Sequence, residues 1–158
     1  MPTPLNTHIA NHWRQLRGRT LDLVALLEPA QLDLKLPFET SQSIHYQFWC
    51  MLGAQQSWQA LFESGEWAGF SCTLTGRDEH KQPAVVAEMM RAADEKLLSN
   101  LETADLNEAF ENGTTRLDHY LSLVEHESHH QGQLINFIYA HDIEIPASWA
   151  EKWSLSRD

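Results

Sequence analysis

Apolar residues recur at intervals of three and four in four separate stretches of this chain. In no stretch do they alternate convincingly with period two over five or more residues. A period near 3.6 places such residues on one face of an α-helix, whereas a half-buried strand needs period two. The spacing therefore predicts an all-α fold. The first stretch runs from about Leu5 to Leu27, with Ile9, Trp13, Leu16, Thr20 and Leu23 between them, and Pro29 and Pro37 close the region. The second begins near Ser41, a suitable N-cap, carries Ile44, Phe48, Leu52, Leu61 and Phe62, and stops near Gly65. Pro83 opens the third, with Val86, Met89, Met90, Ala93, Leu97 and Leu101 as its stripe. Thr114 or Thr115 caps the fourth, with Thr115 and Asp118 as a loose capping box, and it continues through Leu117, Leu121, Val124, Gln131, Ile135 and Ile138 to about His141. Gly53 lies inside the second helix, where glycine costs ~1 kcal/mol against alanine, so a close approach is expected there. Residues 64–81 form a long loop of the kind that is often functional. The 158 residues suit one domain, 1–158, and the expected architecture is an antiparallel four-helix bundle with long connecting loops.

Charge narrows the partners. Eleven Lys and Arg stand against 22 Asp and Glu, a formal net charge of −11, which repels a phosphate backbone and argues against a nucleic-acid partner. No stretch approaches the 18 apolar residues of a membrane span, and the N-terminal region lacks the apolar core of a signal peptide. Cys50 and Cys72 are the two cysteines and no CxxC occurs, so two reduced thiols in a cytoplasmic protein are expected. Ile9, Leu16 and Leu23 share a stripe that Trp13, Leu21 and Leu27 broaden. An apolar arc that wide suggests a homodimer.

Nine histidines are the chemical signal. In His126-Glu127-Ser128-His129-His130-Gln131-Gly132-Gln133, His126 and His130 are four apart and share one helix face, where two imidazoles can grip one divalent cation. His129 is rotated ~100° from His130 and does not easily join them. Leu123, Gln133 and Phe137 lie on the same face, so the pair leans toward apolar surroundings, and Gly132 is expected to leave room beside it. His8 and His12 repeat the spacing in a polar segment. A catalytic metal usually takes three protein ligands. His45, early in the second helix, is the natural third, or else a hydrogen-bonded core or capping histidine. Cys50, about 140° around that helix from His45, is expected to pack against a neighbour.

Other chemistries fit less well. His126-Glu127-x-x-His130 matches the protease motif H-E-x-x-H, but no strand is predicted to hold a peptide. The Glu-x-x-His of di-iron bundles would need a second copy and two more carboxylates. Glu127 is a solvated carboxylate, a partner to a ligand, or a general base. Trp49 is expected to line a pocket, and Trp67 and Phe70 to form a lid over it.

Ser43-Ile44-His45 opening the second helix, the late His126-x-x-x-His130-x-Gly132-Gln133 and the exit Ile143-Glu144-Ile145-Pro146 together resemble the DinB/YfiT-like family over nearly the whole chain. The resemblance implies an up-down-down-up bundle and a three-histidine site for a divalent metal ion, Zn or Ni, which here would be His45, His126 and His130. Family members often carry Arg after the last ligand, where this chain has Gln131. The family includes thiol S-transferases, an isomerase and candidate hydrolases. The expected function is thus a metal-dependent transferase or hydrolase acting on a small-molecule substrate with a thiol cosubstrate or water. A non-catalytic bundle that binds metal or ligand in a stress or sensing role is the alternative, and a fourth ligand from His119, His129 or Glu127 would mark a structural metal.

Overall fold

Ser43, rather than Ser41, caps the second long helix: its hydroxyl accepts the Tyr46 N–H at 3.1 Å. The Ser41 hydroxyl is occupied in the preceding turn, accepting from Leu36 N–H at 2.8 Å and donating to the Gln42 carbonyl at 3.0 Å. The structure, a computed structural model, describes residues 4–158. Its helices are α1 (Pro4–Leu26), α2 (Ile44–Ser64), α3 (Pro83–Thr103), α4 (Arg116–Ala140) and α5 (Ala147–Trp153), with short 3-10 turns at Pro29–Asp33 and Asp78–His80. Isolated bridges join Lys35 to Ser43 and Ala109 to Thr115, and no strand forms among the described residues. No helix among them is long and apolar enough to cross a membrane.

The other helix ends follow local chemistry. Thr115 and Asp118 cap α4 reciprocally, as their spacing predicts. Gly65 ends α2 at φ +74°, and a Cβ there would also strike the Phe110 ring. Residues 147–153, which lie beyond the four stretches of helical period, form α5. Its Trp149 is fully buried and donates its indole N–H to the Arg19 carbonyl at 2.6 Å, which docks the helix on α1.

Side-chain pairing sets the helix directions. Asn6 bonds the Leu101 and Ala104 carbonyls and Trp13 bonds Asp94, so α1 and α3 run antiparallel. His12 meets Tyr120, Arg17 meets Glu127 and Leu16 meets Gln131, so α1 and α4 run parallel. Gln47 meets His130, Cys50 meets His126 and Trp58 meets His119, so α2 opposes α4. The bundle is therefore up-down-down-up, with α1 beside α3 and α4, and α2 beside the same two helices.

That order explains the long 65–82 connection. Parallel α2 and α3 require the chain to return along the ~30 Å length of α2. It does so on the outer face of α2, where Ser71 bonds Ser57, Thr73 bonds Gln56 and Cys72 bonds the Trp49 carbonyl. Gly53 lets the strap lie flat, because a Cβ there would collide with the Phe70 ring. Gly53→Ala is expected to push Phe70 off its Trp49 contact while leaving α2 intact. Limited proteolysis should then nick residues 66–77 faster than in wild type, and an unchanged cleavage rate would refute the role assigned to Gly53.

The core divides into two apolar clusters, one centred on Leu23, Phe48, Met90 and Leu134, the other on Trp13, Ala54, Leu97 and Leu123. Between them lies a polar layer in which Arg17, Thr20, Gln55, Glu127 and Gln131 are all buried. Of the α1 arc that suggested a homodimer, Trp13, Leu16, Leu23 and Leu27 are buried within the chain, while Ile9 and Leu21 are half-buried.

Candidate metal centre

The α2–α4 register brings a thiol and two imidazoles together. Cys50 Sγ lies 3.6 Å from His126 Nε2, and the His126 and His130 rings are 4.6 Å apart. One donor atom from each of Cys50, His126 and His130 falls within 4.8 Å of the other two, so the group can hold a metal ion. A closed tetrahedral set with Zn–N and Zn–S bonds of ordinary length has donors ~3.3–3.6 Å apart. The Cys50–His126 separation already matches that, and a small inward movement completes the set.

Neighbouring groups prepare these donors. Gln47 Oε1 accepts a hydrogen bond from His130 Nδ1 at 2.6 Å. An amide oxygen only accepts, so Nδ1 carries the proton and the Nε2 lone pair is left free to ligate. His126 Nδ1 is buried without a partner. Burial, followed by the neighbouring His126 and His129, lowers the His130 pKa to about 4. Burial also lowers that of His126 and raises that of the Cys50 thiol. At neutral pH both imidazoles therefore offer lone pairs, and only the thiol must lose a proton to bind an ion.

His45, expected as the third ligand, is not in this group. It lies on the strap side of α2, beside His80, Lys81 and Asp33, with its Nε2 buried and unpartnered. Five residues of helix turn the chain by ~140° relative to Cys50, so the two cannot face α4 together. Cys50, expected to be simple packing, takes the third place.

Glu127 is neither solvated nor available as a base. It is fully buried, accepts two hydrogen bonds from Arg17 at 2.9 and 3.1 Å, and takes a third from Thr20 at 2.7 Å. Gln131, where an arginine was expected from the resemblance, is buried beside it and donates to the Leu16 carbonyl and the Thr20 hydroxyl. Gly132 is exposed, with open space where a Cβ would stand, so it makes no room for the site. His8 is exposed and His12 bonds the Tyr120 hydroxyl, so the early pair is not a second centre. His119 is held by Thr114, away from the group.

A cavity of about 620 Å³ opens beside the three donors, with His129 on its exposed rim. Tyr46 lines it and Trp49 does not. Trp49 packs instead between Tyr46 and Phe70, at 5.3 and 4.8 Å between rings. The Trp58 ring lies 6.2 Å from that of His126, and Trp67 packs edge-on against Trp58 at 5.4 Å. Trp67 and Phe70 thus lie against α2 side chains and do not line this cavity.

The fold and the converging side chains define a helical bundle with three potential metal ligands contributed by facing helices. The sequence profile of the DinB family matches residues 1–139, and the chain belongs to that family. Among curated proteins no significant match is found, and among solved structures none either.

Proposed function

We propose that the chain holds one divalent metal ion on Cys50, His126 and His130 and uses it in transfer or hydrolysis chemistry on a small molecule. The observation that carries this reading is the convergence of the three donors within 4.8 Å beside a cavity of about 620 Å³. Three protein ligands facing open space are the pattern of a catalytic zinc site, whereas a structural site is closed by four. A thiolate with two imidazoles suits Zn best, with Ni the alternative. When bound, such an ion acts as a Lewis acid and lowers the pKa of a water or thiol that reaches it.

The chain's own residues supply the rest. Gln47 fixes the His130 tautomer, and Cys50 brings one negative charge to the ion. His129 stands exposed at the rim of the cavity, with its ring 5.2 Å from that of His130. Cys50 and Cys72 are both unpaired, which suits a reducing compartment such as the cytoplasm.

Metal analysis after reconstitution tests the reading. Wild type should retain about one ion per chain, Cys50→Ala and His130→Ala should lose it, and His45→Ala should keep it. A wild-type protein that takes up no divalent ion would overturn the proposal.

A further inference from the structure

The cavity beside the three donors has an unusual wall. Charged residues make up 21% of the chain, so about three would be expected among fourteen lining residues. Among the described residues that line it, none is Asp, Glu, Lys or Arg. The wall is built of two other kinds of group. Phe137 is buried, while Phe38 and Tyr46 are 57% and 37% exposed at the rim, and together they offer apolar and aromatic surface. Gln42, Gln133 and Asn136 offer amides. His130 donates its Nδ1–H to Gln47 Oε1, and the Gln133 side chain, its Oε1 buried, also stands against the His130 ring.

We propose that the molecule bound here has an uncharged body: an aromatic or aliphatic part against Phe38, Tyr46 and Phe137, with neutral hydrogen-bonding groups facing the amides. This inference rests on the metal reading above and adds the chemical class of the ligand. A divalent ion on one thiolate and two neutral imidazoles carries net charge near +1. One anionic head that ligates it directly satisfies that charge. Any further charge on the ligand would leave water for a wall without an Asp, Glu, Lys or Arg to pair with it, which is unfavourable for either sign. The net charge of −11 adds to the penalty for a second anionic group. Amides and aromatic rings, by contrast, fix the orientation of a neutral molecule in a cavity of this size.

The test uses the full chain loaded with Co(II), whose visible bands respond to a ligand entering the coordination sphere. Three benzyl thiols share one metal-binding head and differ only at the para position: carboxamide, carboxylate or aminomethyl. The carboxamide should bind roughly tenfold or more tightly than either charged analogue. Asn136 is exposed on the wall, so Asn136→Lys should fold normally and recover binding of the carboxylate. Equal or tighter binding of the carboxylate or the ammonium by wild type would overturn the inference while leaving the metal reading standing. Failure of the protein to develop a cobalt–thiolate absorption band before any ligand is added would overturn the metal reading, and this inference with it.

Discussion

Arg17→Met should lower the melting temperature by about 6–20 °C, which follows from the ~3–5 kcal/mol lost when one partner of a buried ion pair is removed. The Arg17 side chain is 1% exposed, makes the paired bonds to Glu127, and lies 3.5 Å from Asp94 Oδ1. Its guanidinium also covers the Trp13 ring at 5.0 Å. Burial works against its charge, but Glu127 and Asp94 outweigh that and its pKa rises. Burial is only partly offset at Asp94, whose pKa is raised despite Arg17, Trp13 and Gln55. Arg17→Met therefore leaves Glu127 buried with Thr20 as its remaining partner. The double variant Arg17→Met with Glu127→Met should recover most of the loss, because an apolar pair of similar volume fills the layer without an uncompensated charge. Calorimetry on the single and double variants checks both statements. A single-variant shift below about 2 °C would show that the layer is not held by this pair.

The same layer shows where the amino-acid sequence was readable and where it was not. The four long helices, their order and most of their boundaries follow from period and caps, which are local, and Thr115 with Asp118 acts as its spacing predicts. Ser41 and Ser43 are equally good caps on paper, and the choice between them depends on the turn that occupies Ser41. Glu127 was unreadable for a different reason. Its partner is 110 residues away, and nothing local distinguishes a buried carboxylate from a solvated one. A signal did exist: Arg17 and Thr20 stand within the apolar stripe of α1, where an unpaired charge would be costly. The site divides in the same way. His126 and His130 are legible because both lie on one helix, four apart. The third donor depends on how α2 is rotated against α4, which no spacing within α2 encodes. Tying the choice to the first histidine of that helix led to His45, ~140° around the helix from the residue that faces the pair.

Removing the metal is expected to have the second large effect, and its pH dependence identifies the third ligand. An ion that bridges α2 and α4 stabilises the fold by ~4 kcal/mol at a thousandfold excess over its Kd, or roughly 8–16 °C in melting temperature. A chelator added at pH 7.5 should remove that increment from wild type and from His45→Ala, and should have little effect on Cys50→Ala, His126→Ala or His130→Ala. A site made of three histidines would lose affinity only below about pH 6, where free imidazole takes up protons. This site should behave otherwise. Burial lowers both imidazoles, that of His130 to about 4, so His130 is already neutral between pH 6 and 8 and proton competition at His126 is weaker than at a free imidazole. The Cys50 thiol is raised by burial and must give up one proton to bind. Affinity should therefore climb about tenfold per pH unit until the thiol ionises, so the gap between metal-loaded and chelated protein widens from pH 6.5 to 8. Cys50→His should keep the stabilisation and flatten that slope above pH 7, because no thiol proton then has to leave. A wild-type gap that stays constant from pH 6.5 to 8, or one that survives in Cys50→Ala, would remove Cys50 from the ligand set.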